Sequence, residues 1–169
     1  MSYKNFNQPC VFIAKWSGEF GPKVLEFQPN SNEIDLETIA MQIFIVYQNF
    51  YYNEKEKIIS RILFTLPFKN INRRSKKFLD SLDKTENIDN PHSFFIVLLL
   101  PDYSSDDLLE KFDNILINIG EEFSNTKTLL LNNYYEEINE LFILEQKVQD
   151  SEMSLEEDYS FPNALLDFK

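Results

Sequence analysis

The stretch Ser93-Phe94-Phe95-Ile96-Val97-Leu98-Leu99-Leu100 holds the longest unbroken apolar run of the chain, Phe94 to Leu100. Seven residues fall far short of the roughly 20 that a membrane-spanning helix needs. The run is β-branched and aromatic, and Pro101 closes it, so it predicts a strand. It lacks the polar alternation of a half-exposed strand, which predicts burial on both faces. A sheet covered by helices on both sides satisfies that requirement.

Upstream, Lys84 to His92 is a polar loop closed by Pro91. Lys77 to Asp83 (KFLDSLD) is open between a short strand and a helical turn, with the strand preferred. Asn70 to Ser75 predicts a polar turn, and Ile58 to Phe68 (IISRILFTLPF) a buried strand ending at Pro67. Before these, Leu36, Ile39, Ala40, Ile43, Val46, Tyr47 and Phe50 recur at steps of three and four, one stripe of a helix. Asp35 is its expected N-cap. Cys10 to Trp16 (CVFIAKW) and Lys23 to Phe27 (KVLEF) read as strands of a hairpin. Gly18 and Gly21 sit in its turn, where positive φ is needed.

Downstream, Ser104 or Ser105 caps a helix with Asp106 and Asp107 in its first turn. Leu108, Phe112, Ile115, Ile119 and Phe123 share one face of it. A last helix is expected over Thr128 to Gln149. Its inward residues are Leu131, Tyr134 or Tyr135, Ile138, Leu141, Phe142 and Val148. The order β-β-α-β-β-β-α-α predicts one α+β domain over 1–150, built on a five-stranded, mainly antiparallel sheet between helices. An acidic tail, expected to be mobile, follows at 151–169 and ends in the short apolar stretch FPNALLDF.

The chain has 169 residues, 43% of them hydrophobic, enough for one core. Its net charge is −12, unevenly placed: residues 1–100 hold 12 Lys+Arg against 11 Asp+Glu, and residues 101–169 hold 4 against 17. Nucleic-acid binding, which depends on neutralising phosphates, is disfavoured. The single cysteine, Cys10, excludes an internal disulfide, and the opening residues carry no signal-type apolar run, so a cytoplasmic location is expected.

Catalytic constellations are absent from the pattern. His92 has no G-x-S-x-G serine to activate, and Cys10 opens an apolar strand as a small buried hydrophobe would. One Cys and one His exclude a zinc site built from several such ligands. Gly18, Gly21 and Gly120 are too few for a phosphate-binding loop. No enzyme activity and no cofactor are expected. Three features bear on binding, of which the acidic tail reads as a solubilising end rather than a recognition motif. Met41, Phe44, Ile45 and Tyr51 widen the first helix's apolar surface beyond one face, which predicts a partner interface. Lys69, Arg73, Arg74, Lys76 and Lys77 form the only basic patch, placed at a hairpin tip, where contact with an acidic partner or peripherally with an anionic membrane stays open.

The first hairpin, FIAKWSGEFGPKVLEFQP, resembles the opening of longin-like domains of the nitrogen permease regulator and folliculin group, in the longin/roadblock superfamily. The matching residues are the strand Phe12 to Trp16, the turn Gly21-Pro22-Lys23 and the second strand with its closing proline, Val24 to Pro29. The later strand and two closing helices follow the longin order, so the resemblance covers residues 9 to about 150. It implies a longin/profilin-like fold that pairs with another longin or roadblock-type domain, as a homo- or heterodimer. Such pairing uses the first helix and a sheet edge, and the resemblance also implies action on Ras-like small GTPases. Arg61, Arg73 and Arg74 match no catalytic-arginine motif, and no long heptad helix of the fusion type follows. Two other readings stay open: an adaptor or tethering-complex subunit of the same fold, and a small-ligand sensor or enzyme using the sheet–helix crevice.

Overall fold

The computed structural model describes residues 7–17, 21–30, 34–51, 61–81, 93–128 and 130–158. Among these residues five strands form one sheet: β1 (Cys10–Ser17), β2 (Gly21–Gln28), β3 (Ile62–Phe68), β4 (Arg73–Ser81) and β5 (Ser93–Pro101). Four helices accompany them: α1 (Leu36–Tyr51), α2 (Asp106–Glu110), α3 (Asp113–Thr126) and α4 (Leu131–Asp158). The strand order is β2-β1-β5-β4-β3, and every pairing is antiparallel.

β5 is central, and all nine of its residues are buried. Its side chains alternate between two cores, as a pleated strand requires. Phe94, Ile96, Leu98 and Leu100 join Val11, Ile13 and Phe78 under α2, α3 and α4. Phe95, Val97 and Leu99 join Cys10, Phe12, Ala14 and Leu79 under α1. Burying each Leu, Ile or Phe contributes about 1.5–3 kcal/mol, so this strand anchors both layers.

The ambiguous segment at 77–83 is strand as far as Ser81, with 82–83 outside the described residues. The turn expected over Asn70–Ser75 is shorter. A 3-10 turn covers Lys69–Ile71, Asn72 takes the left-handed conformation (φ 51°), and Arg73 already pairs with Phe68 and Pro101. Asn pays less than most residues for that conformation. Pro67 lies inside β3, tolerated because β3 is an edge strand with one unpaired side. Residues 58–60 of the expected strand, the loop with Pro91 and His92, Gly18, and the FPNALLDF stretch lie outside the described residues.

Asp35 caps α1 as expected: its Oδ1 accepts from the Thr38 amide at 3.1 Å and its Oδ2 from the Thr38 hydroxyl at 2.7 Å. Ser105 caps α2, accepting from the Leu108 amide at 3.1 Å. The single helix expected there divides in two. α2 ends at Glu110, and α3 restarts after Phe112, whose ψ of −3° leaves the helical range. Leu108, Phe112, Ile115, Ile119 and Phe123 nonetheless all reach the core.

Gly120 is where α3 crosses the sheet. A Cβ placed there would lie 2.2 Å from the Phe78 ring of β4. Only a residue without a side chain allows this approach. α4 starts later and runs longer than expected. Glu26 Oε1 on β2 accepts from the Leu131 amide at 2.8 Å, placing a carboxylate at the positive end of the helix. Beyond Phe142 no described side chain of α4 is buried, and Val148, expected inward, is 45% exposed. The helix passes the boundary expected at 150 and continues to Asp158.

Replacing Gly120 with Ala is expected to destabilise the protein by about 1–3 kcal/mol, as overpacking of a tight core does. A lower denaturant midpoint with an unchanged m value would register it; a midpoint equal to wild type would show that α3 can shift away from Phe78.

Candidate interaction surface

The reactive groups are turned inward. Cys10 is buried on the α1 side, and burial pushes its thiol up to about 12, only partly opposed by the Arg73 guanidinium. A thiol so held does not form the thiolate that nucleophilic chemistry uses. Among the described residues no group of three His, Cys, Asp or Glu side chains is arranged to hold a metal ion. His92 lies outside the described residues.

The five cations expected as one basic patch do not share a surface. β4 is a strand, so alternate residues leave it on opposite faces. On the α2–α3 side, Lys76 Nζ lies 2.8 Å from Asp113 Oδ1 in a charge contact. Arg74 pairs with Asp106 and donates to the Ser104 carbonyl at 2.5 Å. Both helices thus start with a carboxylate held by a β4 cation. Arg73 is 2% exposed and donates to the Gln8 carbonyl at 2.6 Å. Lys69 alone of the five is exposed.

Lys77 faces the α1 side and is fully buried. Its Nζ lies 4.9 Å from the Phe64 ring centroid and 5.2 Å from that of Phe68, with no hydrogen-bond partner among the described residues. Burial pushes its pKa down to about 6, so at neutral pH the amine is uncharged among the rings. It is a core residue, not a docking cation.

The expected surplus on α1 divides in a similar way. Leu36, Ile39, Ala40 and Ile43 are buried against the sheet. Phe44 is also buried, at 8% exposure, because its ring stacks on Trp16 of β1 with centroids 3.5 Å apart and planes 11° from parallel. Phe44 therefore belongs to the fold, contrary to its expected place in the interface. Met41 and Ile45, one turn apart, are 41% and 49% exposed. The α1 helix includes Tyr51, but its side chain lies outside the described residues.

This outer strip of α1 adjoins a sheet edge that no strand among the described residues pairs with. The Met41 Cε lies 3.0 Å from where a Cβ would sit on Gly21, the first residue of β2. Gly21 has φ +82°, so no side chain competes with Met41 there. β2 is an edge strand, and its register with β1 slips between Ile13↔Glu26 and Ala14↔Val24, leaving Leu25 as the extra residue of a bulge. Leu25 is 45% exposed. Sequence reading missed it, although an apolar residue in the strand after the Gly-Pro-Lys turn was visible.

No family model and no curated protein matches the chain. Among solved structures it is similar to the longin domain of K. lactis Lst4, at 12% identity with a TM-score of 0.46, covering 79% of this chain and 90% of that one. The antiparallel five-stranded α+β architecture is the one expected. No helix among the described residues is long and apolar enough to cross a membrane.

Lys77 makes stability depend on pH in a definite direction. Between pH about 6 and the ordinary lysine value of 10.5, the unfolded chain holds a proton that the folded chain does not. The contribution is therefore complete above that range and is lost as pH falls through it, at about 1.4 kcal/mol per pH unit. Lys77→Met is expected to raise stability at pH 7 and to flatten this slope between pH 7 and 9, measured by urea unfolding. Equal slopes in both proteins would show that Lys77 keeps its charge in the fold.

Proposed function

We propose that this protein is a non-catalytic interaction module that pairs through the outer strip of α1 and the β2 edge. Met41 and Ile45 carry the proposal: two large apolar side chains, 41% and 49% exposed, one turn apart and beside an unpaired strand. Such an edge invites continuation of the sheet by another chain, and exposed apolar groups beside it add burial on contact. The bulge at Leu25 adds a third exposed apolar side chain to that edge strand.

The partner in this reading is a second longin or roadblock-type domain, and the assembly a subunit or regulator in small-GTPase or membrane-traffic machinery. The hairpin resemblance supports it, since pairing in that group uses a first helix and a sheet edge. The arginines support a role without catalysis. The chain has three, and each engages the chain's own groups: Arg61 with Glu121 at 2.9 Å, Arg73 with the Gln8 carbonyl, and Arg74 with Asp106. None of the three extends free to meet a phosphate. A Ras-like GTPase would then be engaged by shape and surface.

Ile45→Glu is the decisive substitution, because Ile45 is exposed whereas Phe44 is structural. It is expected to weaken association with the longin or roadblock partner by at least about tenfold, since it puts a charge in an apolar contact. Phe44→Ala is expected to cost about 3–5 kcal/mol of folding stability instead. Sedimentation of the co-expressed complex separates the two effects. An Ile45→Glu chain that stays folded and fully associated would remove α1 from the interface.

A further inference from the structure

A second apolar strip lies on α4, on the opposite side of the sheet. The helix is 28 residues long, about 42 Å at 1.5 Å per residue. A nine-residue strand such as β5 spans only about 30 Å. Phe142 is the last buried residue of α4 among those described, and Lys147 to Ser151 are exposed without interruption. Past Phe142 the described part of the helix therefore runs along the margin of the domain, with Glu145 and Gln146 still partly buried.

The middle of the helix is not uniformly polar on its outer side. Leu144 is 57% exposed and Val148 45%, while Leu141 is half-buried. Their spacing, three residues and then four, is the repeat that brings one helix against another along a seam. The sequence places Leu155 in the same register a further seven residues on. Lys111 Nζ pairs with Glu145 Oε2 at 2.5 Å, which holds this part of the helix to the domain.

Charge identifies the occupant. α4 holds nine carboxylates and one lysine, so its formal charge is 1 − 9 = −8. Glu137, seven residues before Leu144, continues the seam and Glu140 flanks it; both are exposed. A second copy of α4 would bring like charges together along the contact, and the acidic segment 159–169 of this chain would do the same. A basic helix satisfies both the apolar repeat and its carboxylate flanks.

We propose that the Leu141–Leu144–Val148 seam of α4 is a docking site for an amphipathic helix of a partner protein whose flanking positions are Lys or Arg. This surface is separate from the α1–β2 edge, and the proposal does not rest on the function assigned to that edge.

The test titrates the full chain into a labelled three-heptad peptide with Leu at the seam positions and Lys at the flanks. A matched peptide carries Glu at the flanks. The Lys-flanked peptide is expected to bind, and the Leu144→Ser/Val148→Ser chain to bind it at least about tenfold more weakly. Glu137→Gln/Glu140→Gln is expected to weaken binding and reduce its salt dependence. Ile143→Ser alters an exposed apolar residue on the other side of the helix and is expected to leave binding unchanged, while circular dichroism verifies the helix in every variant.

Three outcomes overturn the proposal. In the first, the Lys-flanked peptide fails to bind. In the second, the serine variant, still helical, binds it as wild type does, or the Glu-flanked peptide binds equally well. In the third, the chain sediments as a dimer that Leu144→Ser/Val148→Ser returns to monomer, which would make the seam a self-interface.

Discussion

The complete burial of β5 is the constraint on which the rest of the molecule depends. A strand with no exposed residue cannot lie at a sheet edge, so partners must flank it and helices must cover both of its faces. β1 and β4 take the flanking places, and β2 and β3 become the two edges. α1 covers one face, and α2, α3 and α4 cover the other. The two cores meet only through the backbone of the sheet, with alternate residues of one strand assigned to each.

The same alternation governs the charges of β4. A solvent-facing cluster of cations would have made an anion-binding surface. Divided between two faces, the cations become structural. Arg74 and Lys76 hold carboxylates at the first turns of α2 and α3, where negative charge also meets the positive ends of the helices. Lys77 enters the aromatic core, where losing its proton costs less than burying the charge. Interior polar groups thus orient this fold without forming a reactive centre among the described residues.

Both proposed contacts are surfaces. The α1–β2 edge combines exposed apolar side chains with unpaired strand backbone. The α4 seam combines an apolar repeat with strong negative charge. The two lie on opposite sides of the sheet, so one partner can be engaged without blocking the other. That arrangement suits a subunit that joins components.

The sequence by itself determined the kind of most elements and their order, because hydrophobic periodicity is a local property; the break between α2 and α3 was not read. The β5 run, the α1 stripe, the Asp35 and Ser105 caps and the closely spaced apolar residues of α3 could all be read without knowing what they touch. The tertiary structure alone decided which residues were left outside. Phe44 and Ile45 are adjacent and both apolar, yet only Phe44 finds the Trp16 ring, an aromatic partner from strand β1. Gly120 gained its purpose only when Phe78 was placed against it. The basic patch was misread because its residues are neighbours along the chain, whereas in a strand neighbours point apart. The extent of α4 was equally hidden, since no described side chain beyond Phe142 is fully buried and so the apolar periodicity fades there.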